Sequence, residues 1–388
     1  MISVHEAFSI LEDNLPYLKT IDVSLWDARN CVLAETLISP IDMPPFRQSN
    51  MDGFAIKIHN DLQYKIIGEI KAGDGHQLNL KPGEAVKIFT GAAVPDDADA
   101  VVQLEIVEIN GFMLSVAGPV TGNMNIRAKG SQIEENDIAL EKGTYLNSAA
   151  IGFLAGLGSS SVKVIQKPKV GIVVTGNELV KPGNHLPYGK VYDSNSLMLQ
   201  SALTDSSFES MLYYVSDNLE STITTLKTAV NENDVVLVSG GISVGDYDFT
   251  YKALKLLGVE TLFHKVNQKP GKPLFAGRQK DKLIFALPGN PAAALTCFYV
   301  YVLPTLKKLS GIDLSYFNTI QRNLSHDFAV DNARDLILKA ICTDHEVAIL
   351  SHQDSSMLNS FALANAMVYL KNGSYNVAAG EKVLVYRL

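Results

Sequence analysis

VGIVVTGNEL at 170–179, DVVLVSGGISVGDYDF at 234–249 and KLIFALPGNPAA at 282–293 decide the fold of this chain. Each is a short aliphatic run that breaks into Gly, Pro, Asn or Asp and then opens a helical pattern. Apolar runs without strict alternation mark strands covered on both faces. Two further strands, MLYYV at 211–215 and ETLFHKV at 260–266, lie between them. Helical patterns fall near Ser194–Leu203, Leu219–Val230, Phe249–Leu257 and Pro291–Leu309. This alternation predicts a mostly parallel sheet with helices on both faces, a three-layer α/β domain.

The pattern changes on either side. Val4, Ala7, Phe8, Leu11 and Leu15 recur at helical spacing, and a second amphipathic stretch runs from about Ser24 to Leu37, which predicts two short N-terminal helices. From Pro40 to about Gly130, runs such as YKIIGEI, AVKIFTG and AVVQLEIVEI are separated by Gly, Pro and Asp turns and predict a β-rich domain. NSAAIGFLAGLG at 147–158 returns to helix. After the α/β region, short strands ending in EKVLVYRL predict a small C-terminal β-domain. A chain of 388 residues also exceeds one ordinary core, so the class is multidomain α/β plus β.

Composition removes several functions. A net charge of −8 provides no positive field for nucleic acid or an anionic membrane, so any bound anion must be held by local groups. Cys31, Cys297 and Cys342 are odd in number and lack CxxC spacing, which supports neither a disulfide framework nor a zinc site. The start MISVHEAFSILEDNL has no basic n-region or apolar h-region, and the longest apolar run, Ala292 to Leu303, is shorter than the ~20 residues a membrane helix needs. The expectation is a cytoplasmic protein. No P-loop or metal-spaced histidine pair is present.

In an open α/β sheet, ligands bind beyond the carboxyl ends of the strands, where helix N-termini present unpaired N–H groups. Four loops leave those ends here: Thr175–Leu179, Ser216–Asp217, Ser239–Phe249 and Leu287–Ala293. Gly240, Gly241 and Gly245 clear side chains from a backbone that could approach phosphates, with Ser239 and Ser243 as donors. Asp246 and Asp248 would repel a bare phosphate; they suit a divalent cation such as Mg²⁺ between carboxylate and phosphate, or serve as helix caps. In LPGNP, Asn290 is expected as N-cap and Pro291 as the first helical residue. Lys269 and Lys272 share a constrained NQKPGKP turn, suited to an oxyanion, with ordinary surface lysines as the alternative. Asp52 in MDGFA is explained by Asp–Gly turn chemistry when taken by itself, and the same caution applies to Thr90.

Together, SPIDMPPFRQSNMDGFAI, FTGAAVP, NIRAKG, VVTGNEL, VYDSN, SGGISVGDYDF, KPGKP, LPGNP and SHQDSSMLNSFALAN resemble, in order and over nearly the whole chain, the molybdopterin molybdenumtransferase family, which includes the E domain of gephyrin. The resemblance implies four parts: residues 1–42 with 130–165, an inserted β-rich domain at 43–129, the central α/β domain at 166–312 and a C-terminal β-barrel-like domain at 313–388. It implies a homodimer whose active site combines the central domain of one subunit with the inserted domain of the other. The activity implied is Mg²⁺-dependent insertion of molybdate into adenylylated molybdopterin with release of AMP, the substrate being handed over by a molybdopterin adenylyltransferase.

Matched to the family's motifs, Asp52, Thr90, Glu178, Asp217, Asp248, Lys269 and Lys272 are the expected catalytic set, with Glu178 and Asp248 holding Mg²⁺. Ser239, Gly240, Gly241, Pro288, Pro291, Arg334, Lys339 and Ser355 are the expected substrate-binding set. Two departures stand out. Ser131–Gln132 replaces an acidic pair after NIRAKG, and Lys339 replaces the second arginine of an R…R pattern whose first member is Arg334. Two alternatives follow: a molybdopterin adenylyltransferase, which shares the central domain, or a non-catalytic scaffold descended from the family.

Overall fold

Residues of the aliphatic strands divide by parity. Val170, Ile172 and Val174 pack with Val235, Leu237, Leu283, Phe285 and Leu287 in one core, whereas Val173, Val236, Val238, Ile284 and Ala286 belong to another. Helices Val4–Asp13, Asn195–Asp205 and Pro291–Cys297 cover the first face, and Leu219–Glu232 and Phe249–Leu256 cover the second. The result is a three-layer α/β arrangement. The computed structural model describes residues 1–388 except positions 18, 76, 77, 241–248 and 317. The chain forms two compact units, one of Met1–Ile21, Asn30–Val32 and Ile165–Leu388, the other of Asp22–Arg29 and Leu33–Val164.

In the first unit, the sheet has six strands in the order Ser210–Val215, Val170–Thr175, Val235–Ser239, Lys282–Leu287, Phe275–Gln279, Glu260–His264. The first four run parallel, and Phe275–Gln279 lies antiparallel between its neighbours. That strand, FAGRQ, escapes the sequence pattern because Gly277 and two polar residues interrupt its apolar run. The predicted helix Pro291–Leu309 is present but contains a π-turn at Phe298–Val302 just before Pro304. A ring lacking an N–H favours such a local widening of the ladder.

The same unit ends in a closed five-stranded barrel: Asp335–Cys342, Glu346–Ile349, Ile320–Leu324, Lys382–Arg387 and Ala366–Leu370, the last pairing back to the first. Leu336, Leu338, Ala340 and Cys342 fill its interior, while Ile337 joins the core of the α/β region. The short strand Gln268–Lys269 adds to the start of Asp335–Cys342 in parallel. Thus the lysine turn is joined to the barrel.

The second unit contains a six-stranded sheet in the order Ala100–Gln103, Gly53–Ile56, Glu84–Ile88, Gln63–Ile70, Met113–Val116, Val107–Asn110. Helix Ser148–Gly156 falls where predicted. The helix expected from Ser24 to Leu37 does not form. One turn starts, with the Ala28 N–H donating to the Ser24 carbonyl at 2.9 Å, and stops at Asn30, which adopts φ +62°. That left-handed conformation is tolerated by Asn and incompatible with continuing a right-handed helix. Among the described residues no helix is long and apolar enough to cross a membrane.

Candidate functional site

At the carboxyl ends of Val170–Thr175 and Val235–Ser239 the chain opens a cleft of about 340 Å³. Its walls include Thr175, Glu178, Asn195, Ser239, Gly240, Asn290 and Pro291. Gly240 has φ +92°, and a Cβ there would sit 3.0 Å from the Thr175 carbonyl oxygen, so the close approach of two strand ends requires glycine. The neighbouring loop is clamped reciprocally: the Asn177 N–H donates to Asp217 Oδ2 at 2.9 Å, and the Asp217 N–H donates to Asn177 Oδ1 at 3.1 Å. Asp217 therefore fixes the loop that presents Glu178. The Glu178 carboxylate folds over Gly176, whose missing Cβ would lie 2.8 Å from both its oxygens.

Asn195 binds the cleft together. Its Nδ2 donates to Ser239 Oγ at 3.0 Å and to the Gly289 carbonyl at 2.9 Å, and its buried Oδ1 has no partner among the described residues. Sequence reasoning missed this residue; its only signal was its place at the end of VYDSN, as the first residue of a helix. Asn290 occupies the N-cap position as predicted, but its side chain makes no cap hydrogen bond. Asn290 Nδ2 instead donates to Ser355 Oγ at 2.8 Å, and the Ser355 carbonyl accepts the Ala293 N–H at 3.2 Å. The segment that follows strand Glu346–Ile349 thus supplies the helix cap. Pro288 is buried one residue before this turn.

Lys269 and Lys272 are exposed on a loop with a rigid underside. Buried Gln268 donates from Nε2 to the Pro270 carbonyl at 3.0 Å and accepts from the Tyr301 hydroxyl. Gly271, at φ +90°, leaves room for Cys297 Sγ, which a Cβ would approach to 2.5 Å. Burial pushes the Cys297 thiol far up, so it is no nucleophile. Arg334 precedes the strand on which this loop docks, and among the described residues its guanidinium has no hydrogen-bond partner. Lys339 differs. It is 3% exposed, and its ammonium donates to the carbonyls of His352, Asp354 and Met357 at 2.8, 3.4 and 3.0 Å and to Ser360 Oγ at 2.7 Å. Burial lowers its pKa, opposed by the Asp354 charge.

In the second unit, Asp52 Oδ1 accepts the Thr90 N–H at 2.7 Å and the Thr90 hydroxyl at 2.8 Å. These bonds, the backbone one foremost, hold the Asp52 carboxyl below its ordinary value. Gly53 is not a turn residue: it begins a strand between two neighbours, and a Cβ would meet the Val102 carbonyl oxygen at 2.0 Å. Gln132 is exposed in a loop, and its backbone N–H donates to the Met43 carbonyl at 2.9 Å. Gly241 and Asp248 lie outside the described residues. Among the described residues no three His, Cys, Asp or Glu side chains converge on a point. Glu178 nevertheless offers one hard carboxylate at an open cleft, which fits Mg²⁺, an ion that typically takes one or two protein carboxylates and completes its shell with water and substrate phosphate.

A cleft at the carboxyl edge of an open α/β sheet, rimmed by a glycine strand end and a helix N-terminus, lies where proteins of this class bind their ligands. Three family descriptions match in order: "MoeA N-terminal region (domain I and II)" over residues 2–158, "Probable molybdopterin binding domain" over 171–308 and "MoeA C-terminal region (domain IV)" over 322–388. Molybdopterin molybdenumtransferases of Staphylococcus epidermidis and Staphylococcus aureus are each 33% identical, across 98% of this chain and 94% of theirs. Two solved structures of the molybdopterin biosynthesis MoeA protein of Pyrococcus horikoshii superpose with TM-scores of 0.83 and 0.82, at 30% and 28% identity. They cover 100% of this chain and 99% and 100% of their own. The chain belongs to the molybdopterin molybdenumtransferase family, enzymes of molybdenum cofactor biosynthesis.

Proposed function

We propose that this enzyme inserts molybdate into adenylylated molybdopterin and releases AMP. The observation that carries the reading is the cleft joining Glu178, Ser239, Gly240 and the Asn290–Pro291 helix start in a chain related to molybdenumtransferases over its whole length. In a protein of net charge −8, an anionic substrate needs local donors, and each element at the cleft supplies them. Ser239 and the backbone at Gly240 and Gly241 approach the nucleotide phosphates. Pro288 and Pro291 stiffen the turn that faces them. Lys269, Lys272 and Arg334 offset the charge of molybdate, with Ser355 as a neutral donor.

Glu178 and Asp248 hold Mg²⁺, which when bound neutralises phosphate charge and polarises the bond to be cleaved. The chain acts in the cytoplasm as a homodimer, Asp52 and Thr90 of a second copy completing the cleft, and receives its substrate from a molybdopterin adenylyltransferase. A molybdopterin adenylyltransferase activity for the chain itself would leave the N-terminal and C-terminal regions without a role. Glu178→Gln tests the metal assignment. A carboxamide is a poorer ligand for a hard cation, so the variant should need at least about tenfold more Mg²⁺ for half-maximal cofactor formation, with folding unchanged. Wild-type behaviour at limiting Mg²⁺ would remove Glu178 from the metal site.

A further inference from the structure

As the counterpart of an arginine, Lys339 is expected to touch substrate. Its surroundings leave no donor for one. A primary ammonium has three N–H bonds, and three backbone carbonyls and a hydroxyl already compete for them. All of these acceptors lie between His352 and Ser360, on the connection leaving the strand Glu346–Ile349. Gln353 fastens the same segment a second time. Its Oε1 accepts the Lys339 N–H at 2.9 Å, and its Nε2 donates to the Lys339 carbonyl at 2.9 Å and the Leu350 carbonyl at 2.7 Å. Ser360 Oγ also reaches the His352 carbonyl at 2.9 Å.

The purpose of so much anchoring is visible one residue past Asp354. Ser355 takes the Ala293 N–H on its carbonyl and pairs its hydroxyl with Asn290 Nδ2. The other side of the same turn is held by Asn195, which donates to the Gly289 carbonyl. Gly289, Asn290 and Pro291 line the cleft. With a proline at the first helical position and the Asn290 side chain drawn away, the helix holds this turn through the Ala294 N–H bond to the Asn290 carbonyl at 2.9 Å, and Ser355 adds a second hold from outside the helix.

We propose that Lys339 is a positioning residue: its buried ammonium gathers the 352–360 segment so that Ser355 braces the Gly289–Asn290 turn against the substrate cleft. This rests on the reading that the cleft binds adenylylated molybdopterin. Lysine suits the task because a compact ammonium directs donors to several carbonyls at once, where a planar fork serves one oxyanion. Removing it leaves acceptors without a donor, and the segment should loosen while the barrel strands stay paired.

The test compares wild type, Lys339→Met and Lys339→Arg by hydrogen exchange and by steady-state kinetics of cofactor formation. In Lys339→Met, amides in 352–360 and the Ala293 amide should exchange at least about tenfold faster. KM for adenylylated molybdopterin should rise about tenfold with kcat changed less than about threefold, and Lys339→Arg should recover part of both. Should Lys339→Met not fold, Ser360→Ala removes one acceptor of the ammonium together with the hydroxyl's own bonds to the His352 and Met357 carbonyls, and should accelerate exchange at Ala293 in the same direction. Unchanged exchange at Ala293 in a loosened segment, or coupled loosening with an unchanged KM, would overturn the proposal. Coupled loosening, in a protein whose wild type makes no cofactor at all, would uphold the bracing and sink the proposed substrate instead.

Discussion

Asp52 shows how little a residue's neighbours in sequence can reveal. Asp–Gly suggests a turn, yet its partner is Thr90, 38 positions away, and its glycine is dictated by a strand. That geometry can be tested at both residues. Thr90 bonds lower the Asp52 pKa from 3.8, so the carboxylate contributes stability that is present above that value and lost as pH falls through the lowered folded-state value. Thr90→Val keeps the backbone bond and removes the hydroxyl, so the Asp52 carboxyl should titrate higher than in wild type while remaining below an unpaired aspartate; an NMR titration of the side-chain carboxyl reads this directly. No change would mean the hydroxyl bond is not formed in solution. Gly53→Ala forces a methyl onto the Val102 carbonyl oxygen, and overpacking of this kind typically costs about 1–3 kcal/mol. Urea unfolding of the variant should show a lowered midpoint, and wild-type stability would contradict the close approach.

Elements were legible in proportion to how locally their pattern is determined. The strands VGIVV, DVVLVS and KLIFAL announce themselves because both faces are buried and every core position is apolar. Phe275–Gln279 was hidden because its place between two strands is set by pairing, and Gly277 fits there against Val259 and Phe275. The Ser24–Leu37 stretch has Leu25, Ala28, Val32 and Leu33 buried at helix-like intervals, but a single left-handed Asn30 turns the chain instead. Of the candidate site, the residues at strand ends were readable, whereas Asn195, Gln268 and the true role of Asn290 depend on contacts across loops that spacing does not encode. The underside of the NQKPGKP loop is fixed by Gln268, Tyr301 and Gly271, so replacing either exposed lysine changes charge without moving the loop. Lys269→Ala and Lys272→Ala should each raise the molybdate concentration for half-saturation by roughly tenfold, in line with a charge-assisted hydrogen bond. Glu at either position should be worse, since attraction becomes repulsion. Molybdate saturation curves identical to wild type would return both to ordinary surface lysines.

For the whole molecule, family membership and the architecture agree. The three matched regions follow one another along the chain, and the α/β layers and closed barrel that they contain are those of the first unit's core. What separates an active transferase from a descended scaffold is chemistry at single positions, above all Gln132, which cannot carry charge or act as a base near neutral pH. Asp52, Glu178, Asp217, Lys269 and Lys272 are all present, and the carboxylates are individually positioned by hydrogen bonds or a glycine contact, an arrangement that a scaffold would not need. Gln132 is therefore expected to be compatible with turnover. The decisive experiment mixes the purified wild-type chain, and separately Gln132→Asp, with adenylylated molybdopterin, molybdate and Mg²⁺, and quantifies cofactor and AMP. Both proteins should yield cofactor and AMP in equal amounts, without ATP and with at most a severalfold difference in rate. Cofactor from Gln132→Asp alone, or product formed only from free molybdopterin and ATP, would show that the native chain is not a molybdate-inserting enzyme.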